Sequence, residues 1–191
     1  MPSRKKVSST ASFSGQTTID RASRSDQLSG ALERELTWDL LAINTHLEDI
    51  RRIWANLLGV SGPQWLILMA ISELDGGKGV SVGEVSSKLY VNSTFVTAQT
   101  KSLERWGFLV RATSPSDARI VLMSLTDKAR REIAKLAVTR NKFSDYVFAD
   151  IGDRTVRDIT DSLSRIRQRV ETAALQMELD NRASKRVIST A

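Results

Sequence analysis

The sequence predicts a mainly α-helical fold with a small β-hairpin, an α+β class of domain. Apolar residues recur at spacings of three and four over residues 31–58 and again over 153–178, as in helices that bury one face. Two β-favouring apolar runs, at 108–110 and 120–125, flank the segment SPSDARI (114–120), whose Pro, Ser and Asp residues favour a tight reversal. These two patterns set the expected class.

The first predicted helix presents a single apolar face. Its residues are Leu36, Leu40, Ile43, Leu47, Ile50, Trp54 and Leu57. Gly59 and the Gly-Pro pair at 62–63 end it and begin a short, mostly buried helix, QWLILMAISEL (64–74), which DGGKG (75–79) closes. Residues 1–30 are Ser/Thr-rich and basic with few large apolar groups, so we expect a disordered basic arm.

Two short helices and the hairpin follow. SVGEVSSKLY (81–90) is the first, and STFVTAQTKSLERWG (93–107) is the second, with Gly107 as its C-terminal cap. The second helix directs one side inward, formed by Val96, Leu103 and Trp106 with Gln99 and Thr100 beside them. The hairpin comes immediately afterwards and ends at Leu125.

A long helix resumes after Thr126, which can cap its first turn, and Gly152-Asp153 breaks it. The last helix has a strict three-four apolar repeat, which prefers another helix as its partner. We expect this seam to form a dimer through Val156, Ile159, Leu163, Ile166 and Val170.

The predicted organisation is a single domain over residues 31–180. Within it, 61–126 holds the short helices and the hairpin, and 31–58 and 127–180 are dimerisation helices. Residues 181–191 are expected to be a flexible tail.

Composition excludes several classes of site. The sequence has no Cys and one His, so it offers no thiolate nucleophile, disulfide or His/Cys zinc cage, and we expect no metal and no cofactor. No nucleophile–base pair is evident, and DGGKG (75–79) lacks the spacing of a phosphate-binding loop, so we predict that the protein is not an enzyme. The longest apolar run, Trp65–Ile71, is too short for a bilayer, and we expect a cytoplasmic protein.

Charge alone argues weakly for an anionic partner. The formal net charge is +6. Residues 1–30 supply +3 of it, from five basic and two acidic groups. Residues 61–126 carry six basic and five acidic groups, a net of +1. A case for nucleic-acid binding must therefore rest on where the charges lie.

The order helix, short helix, turn, helix, hairpin is that of a winged helix-turn-helix. In such a fold one helix fits the major groove of DNA and the hairpin reaches the backbone or the minor groove. The outer side of the 93–107 helix carries small and hydroxyl-bearing residues with one cation, which we predict contact DNA: Ser93, Thr94, Thr97, Ala98 and Lys101. The alternative interpretation is a solvated polar face behind a helix cap.

Arg119 stands near the tip of the predicted hairpin, about a dozen residues after the proposed recognition helix. A guanidinium there can enter a narrow A·T minor groove, where the negative potential is strongest. Asp117 would accept hydrogen bonds from Arg119 or from the turn amides and so orient the arginine. An arginine that only solubilises the turn is the simpler alternative.

The run from Gln64 to Ala129 resembles the MarR (multiple antibiotic resistance regulator) family of bacterial transcription factors. Asp117-x-Arg119, followed after five residues by Leu125-Thr126, is similar to that family's wing and the start of its next helix. STFVT before LERWGFLVR (93–111) is similar to its recognition helix and the entry into the wing. With the flanking helices, the resemblance covers about 33–178.

The resemblance implies a homodimer with interlocking terminal helices that binds palindromic double-stranded DNA and is often released by small aromatic or phenolic ligands. It favours a ligand-responsive transcriptional regulator, more specifically a repressor. Ala98 departs from the family, because a long basic side chain often stands there, and this puts base readout at that position in doubt. A winged-helix module that docks proteins without binding DNA stays open as the alternative, supported by the nearly neutral segment 61–126.

The resemblance also places an effector between the dimer helices and the DNA-binding lobe, in a crevice lined by the helices over 33–58, 64–74 and 126–150. The candidate ligand residues there supply aromatic walls and cations for an aromatic acid or phenol: His46, Arg51, Arg52, Trp54 and Trp65. Each has a structural alternative. His46 could lie at an interface with a backbone partner, the two tryptophans could be core, and the arginines could pair with Glu48 or Asp49.

Overall fold

The computed structural model describes the backbone of residues 14–188 and the side chains of residues 30–181. This part of the chain contains six helices and three strands. In order they are α1 (Ser14–Leu58), α2 (Gly62–Leu74), β1 (Val80–Ser81), α3 (Val82–Leu89), α4 (Ser93–Arg105), β2 (Leu109–Thr113), β3 (Val121–Leu125), α5 (Asp127–Phe148) and α6 (Asp153–Ile188). The chain divides into two compact units, unit 1 over residues 1–132 and unit 2 over residues 133–191. The predicted mainly helical fold with a small sheet is confirmed.

The terminal helices are longer than the sequence indicated. α1 begins at Ser14, which corrects the predicted disordered arm over 14–30, while residues 1–13 lie outside the described part. α6 continues to Ile188, which corrects the predicted flexible tail, and 189–191 lie outside the described part. No Gly or Pro interrupts residues 16–29. A helix already nucleated over 31–58 can therefore extend through weakly apolar sequence, because propagation is much cheaper than nucleation.

The core of unit 1 is formed by α2, α3, α4 and the sheet. Its fully buried large side chains include Ile67, Leu68, Ile71, Val85, Val96, Leu103, Leu109 and Met123. Thr100 is also fully buried, and its Oγ1 donates a hydrogen bond to the carbonyl of Thr97, which satisfies the hydroxyl inside an apolar core. Trp106 was predicted to face inward but is 46% exposed. It is the C-cap of α4, where the helix ends and its direction no longer follows the helical period.

Local capping fixes where α2, α3 and α4 begin. Ser61 with Gln64 and Ser81 with Glu84 form capping boxes, in which each pair satisfies backbone donors reciprocally. The hydrogen bonds from the Ser81 hydroxyl and backbone lower the pKa of Glu84. Asn92 caps α4 by accepting a hydrogen bond from the backbone N–H of Phe95 at 2.7 Å. The orientation of α4 relative to α3 is therefore set within a few residues of chain.

The sheet has the antiparallel order β1-β3-β2. The sequence did not predict β1, which is only two residues long and pairs Val80 with Met123, far along the chain. Gly79 precedes it with φ +78°, and an added Cβ would lie 3.0 Å from the Cβ of Leu122. This position requires glycine, because both the backbone conformation and the close approach of β3 exclude a side chain.

Thr126 and Lys128 attach the start of α5 to the end of α4. The Thr126 hydroxyl accepts from the N–H of Ala129 at 3.1 Å, as the sequence predicted for a cap, and donates to the carbonyl of Gly107 at 2.7 Å. Lys128 Nζ donates to the carbonyl of Trp106 at 2.8 Å and lies 4.5 Å from the centre of the Phe108 ring. We refer to these contacts as the Thr126 staple.

Large apolar faces stay uncovered within a single chain. In α1 the side chains of Leu36, Ile43, Leu47 and Leu57 are 42–64% exposed. In unit 2, Ile159, Leu163 and Val170 of the predicted seam are exposed, and Val156 and Ile166 are half-buried. Among the described residues no single helix is long and apolar enough to cross a membrane; the bent pair Gly30–Leu58 and Gly62–Leu74 passes that test jointly, by length and composition only.

Candidate functional site

The wing is a hairpin whose loop is closed by local hydrogen bonds. The N–H of Ser114 donates to the carbonyl of Ile120, and the N–H of Ile120 donates to the carbonyl of Asp117, both at 2.9 Å. The hydroxyls of Ser114 and Ser116 lie 3.0 Å apart. The loop predicted from SPSDARI is therefore a structured reversal between β2 and β3.

Asp117 and Arg119 form a bidentate ion pair, which we call the Arg119 fork. Nε and Nη2 of Arg119 donate to Oδ1 and Oδ2 of Asp117 at 3.0 and 2.9 Å, and the backbone N–H of Arg119 also donates to Oδ1 at 2.9 Å. The Arg119 side chain is nevertheless 90% exposed. The fork lowers the pKa of the Asp117 carboxyl, first through the side-chain hydrogen bonds from Arg119 and then through its backbone N–H. The predicted contact between the two residues is thus present.

The predicted DNA-contacting residues of α4 fall into three environments. Thr94, Ala98 and Lys101 are exposed on its outer face. Ser93 is exposed too, but its hydroxyl lies 3.1 Å from that of Ser86 in α3, so it joins the two helices of the helix-turn-helix. Thr97 is half-buried and lines a cleft between α4 and the wing. The structure therefore separates Thr97 from the rest of the predicted set.

Thr97 and Arg119 line one cleft of about 420 Å³, which we call the wing cleft. Its other lining residues come from the start of α3 and from the two wing strands: Ser81, Val82, Gly83, Arg111, Ile120 and Val121. None of the eight lining residues is acidic, and two of them, Arg111 and Arg119, are arginines. The wing cleft lies between α4 and the wing, and its charged lining residues are both basic.

A second cavity, of about 490 Å³, lies between α1, the first turn of α2 and the α3–α4 junction. We call it the Arg51 cavity. Its apolar wall includes Pro63, Leu66, Leu89, Val91 and Phe95, and its polar wall includes Thr45, Glu48, Asp49, Arg51 and Arg52. Arg52 pairs with Asp49 at 2.9 Å, whereas the half-buried Arg51 has no hydrogen bond or ion pair among the described residues.

Only part of the predicted ligand set lines this cavity. Arg51 and Arg52 do, but His46, Trp54 and Trp65 do not. His46 is exposed on α1. The rings of Trp54 and Trp65 lie 6.1 Å apart at 48° and pack α1 on α2, with Trp65 only 2% exposed. The contact between the two rings agrees with the structural alternative for the tryptophans, and their role as ligand walls stays a prediction.

The fold and sequence match known proteins over the winged segment. A profile described as the MarR family matches residues 58–120. YdgJ of Bacillus subtilis (strain 168), an HTH-type transcriptional regulator, is 30% identical over 91 residues, which are 48% of this chain and 56% of YdgJ. TtmR of Methylorubrum extorquens (strain PA1), another such regulator, is 31% identical over 117 residues, 61% of this chain and 57% of TtmR. The winged segment of this chain matches the MarR family.

Solved structures share the fold of this chain. The S. aureus MepR–DNA complex matches with a TM-score of 0.60 at 11% identity, over 69% of this chain and 93% of MepR. CouR from Rhodococcus jostii RHA1, bound to p-coumaroyl-CoA, matches with a TM-score of 0.59 at 21% identity, over 66% of this chain and 87% of CouR. The chain spans little more than half the length of the two curated relatives. Both curated relatives are transcriptional regulators, which agrees with the prediction that this chain is a regulator without enzymatic activity.

The sequence did not predict Arg111 and Phe95 as site residues. Arg111 follows buried Leu109 by two residues in β2, so it shares the inward side of that strand. A charged residue on an inward strand face was the signal that could have found it. Phe95, 37% exposed, is the aromatic residue in the first turn of α4, and it lines the Arg51 cavity.

Proposed function

We propose that this chain is a cytoplasmic transcriptional regulator of the MarR family that binds a palindromic site in double-stranded DNA as a homodimer. The Arg119 fork is the observation that carries the proposal. A fully exposed guanidinium held at a wing tip by a carboxylate is already oriented, so less conformational entropy is lost when it enters a groove. The exposed face of α4, with Thr94, Ala98 and Lys101, is the complementary element for the major groove.

Dimerisation follows from the uncovered helix faces. Ile159, Leu163 and Val170 are exposed in unit 2, at the spacing that a second helix covers. A two-fold dimer presents two recognition helices to successive major grooves about one helical turn apart, which requires a palindromic site. The solved MepR–DNA complex supports this mode of action for a chain of the same fold.

Ligand control is proposed through the Arg51 cavity. Its free guanidinium and apolar wall match a carboxylate attached to an aromatic ring. CouR, of similar fold, was solved with an aromatic thioester, p-coumaroyl-CoA. Phe95 and Val91 line the cavity next to the first turn of α4, so an occupant contacts the helix that would read DNA. We assign the chain the role of a repressor that such a ligand releases.

The experiment that tests DNA binding compares Arg119→Ala with Arg131→Ala. Arg131 is an exposed arginine on α5 that lines neither the wing cleft nor the Arg51 cavity. On a duplex from upstream of the protein's own gene, Arg119→Ala should weaken binding roughly 10-fold or more, the effect of losing a charge-assisted contact. Arg131→Ala should bind like the wild type in the same gel-shift or anisotropy titration.

A salt titration separates the regulator from the protein-docking alternative. DNA affinity that falls steeply with salt supports the regulator, because phosphate contacts release counterions. Equal affinities of the Arg119→Ala and Arg131→Ala variants would refute the role of the wing. If the wild type shows no measurable DNA binding at low salt, the docking module is the better interpretation.

A further inference from the structure

Arg111 occupies an unusual position in the winged unit. It lies in the middle of β2, opposite Met123, and its side chain lines the wing cleft together with Thr97 and Arg119. Among the described residues its guanidinium has no hydrogen bond and no ion pair. Arg119, in contrast, is held by Asp117. A free guanidinium facing a half-enclosed cleft is available for an anion.

The surroundings of the wing cleft favour an anion there. None of its lining residues is acidic. Two carboxylates lie within two residues of a lining residue in the sequence. Asp117 is paired with Arg119. The other is Glu84, and both the backbone N–H and the hydroxyl of Ser81 donate to its Oε2 at 2.7 Å. That carboxylate is consequently committed to the α3 cap and does not neutralise Arg111.

The geometry of duplex DNA indicates which anion fits. In the proposed function, α4 lies in a major groove and Arg119 enters the neighbouring minor groove. These two grooves are separated by a sugar–phosphate strand, which must pass between any two elements that enter both. In this chain the space between α4 and the wing tip is the wing cleft, bounded by Thr97 on one side and Arg119 on the other.

We propose that the wing cleft seats the sugar–phosphate strand between the two grooves, with Arg111 as its phosphate contact. The inference rests on the proposed function and adds a residue and a ligand class to it. Arg111 supplies affinity without base preference, because phosphates carry no direct sequence information. Arg119 supplies the preference for a narrow A·T minor groove.

The test measures the affinity of Arg111→Gln, Arg111→Lys, Arg119→Gln and a control, Arg131→Gln, on two duplexes across a range of salt. One duplex is the region upstream of the protein's own gene and the other has a random sequence. Arg111→Gln should bind both duplexes about 10-fold more weakly at about 0.1 M salt, and its slope of log affinity against log salt should fall by about 1 per bound chain. Arg111→Lys should restore that slope, whereas Arg119→Gln should lose preference for the upstream duplex.

Three outcomes would overturn the inference without touching the proposed function. In the first, the wild type binds DNA and the affinities of Arg111→Gln and Arg131→Gln are equal. In the second, Arg111→Gln loses affinity only for the upstream duplex. In the third, calorimetry shows saturable binding of inorganic phosphate that requires Arg111, whereas the affinity for DNA does not depend on Arg111. Failure of the wild type to bind either duplex would instead refute the proposed function.

A second measurement serves if Arg111→Gln fails to fold, as judged by circular dichroism. Single neutral methylphosphonate linkages are placed along the upstream duplex and bound by the wild-type protein. A linkage between the major-groove and minor-groove footprints should lower affinity several-fold and reduce the salt slope. If no neutral linkage between the two footprints lowers the affinity, the proposal that the wing cleft binds the sugar–phosphate strand is wrong.

Discussion

At the residue scale, the difference between Asp117 and Arg111 shows what a sequence can predict. Asp117 and Arg119 are two residues apart in one turn, so their contact follows from local chemistry and was predicted. Arg111 acquires its environment from α3, α4 and β3, which are distant in the chain. Spacing alone cannot show that these elements enclose one cleft, because that requires the strand register.

The Asp117 carboxyl should titrate below the ordinary aspartate pKa of about 3.9. Arg119 stabilises its charged form, so the stabilisation is fully present above the ordinary pKa and is lost as the pH falls through the lowered value. The fork should therefore be closed at and above the ordinary aspartate pKa and open only in more acidic solution.

Carbon-13 NMR of the Asp117 carboxyl measures this titration. Arg119→Ala should return the pKa towards its ordinary value, and Arg111→Ala should leave it unchanged, since no hydrogen bond joins Arg111 to Asp117. An unshifted carboxyl in the wild type would mean that the fork is not populated in solution.

At the element scale, helices with one buried face were predicted well and elements without one were not. α2 and α4 have apolar positions that meet the core, and their boundaries agree with the sequence within a few residues. Residues 14–30 of α1 lack such a pattern, so periodicity gave no signal there. β1 is too short for any period, and only its pairing with β3 makes it a strand.

The Arg51 cavity gives a prediction about ligand binding. A saturating aromatic carboxylate such as benzoate should raise the free energy of unfolding, by about 2.7 kcal/mol at 100 times its Kd. The neutral analogue benzyl alcohol should do less, because it gives Arg51 no charge partner. Arg51→Gln should weaken benzoate binding about 10-fold.

Urea denaturation with and without each compound is the measurement, and Arg34→Gln is the matched control on an exposed part of α1 outside the cavity. Benzoate that stabilises wild type and Arg51→Gln equally binds elsewhere. No stabilisation by any aromatic acid tested would remove the carboxylate from the proposed ligand class.

At the scale of the whole molecule, the sequence predicted the class of fold but not the division of the chain. The sequence indicated one domain over 31–180, whereas α5 crosses from unit 1 into unit 2 at residue 133. The seam on α6 was predicted from its regular repeat, and its role in dimerisation stays a prediction. A single chain does not cover this seam, because Ile159 and Val170 are exposed in it.

Leu163→Asp should convert the protein into monomers. A buried charge at the centre of a helix–helix seam is expensive, so the dimer should dissociate and DNA affinity should fall at least 100-fold with loss of the second recognition helix. Gln168→Asp, at an exposed position of the same helix, is the control. Sedimentation velocity gives the assembly state, and a folded dimer of Leu163→Asp would show that the seam packs against something else.

The Thr126 staple links any movement of the first turn of α5 to α4. The hydroxyl of Thr126 and the ammonium of Lys128 tie the first turn of α5 to the carbonyls of Gly107 and Trp106, at the end of α4. A tilt of that first turn is therefore not free, because it must either break these hydrogen bonds or carry the C-terminal end of α4 with it. Helix α4 consequently has a contact at each end: Phe95 lines the Arg51 cavity, and the carbonyl of Trp106 accepts a hydrogen bond in the Thr126 staple. A change at either of these two contacts therefore acts on the same helix, α4.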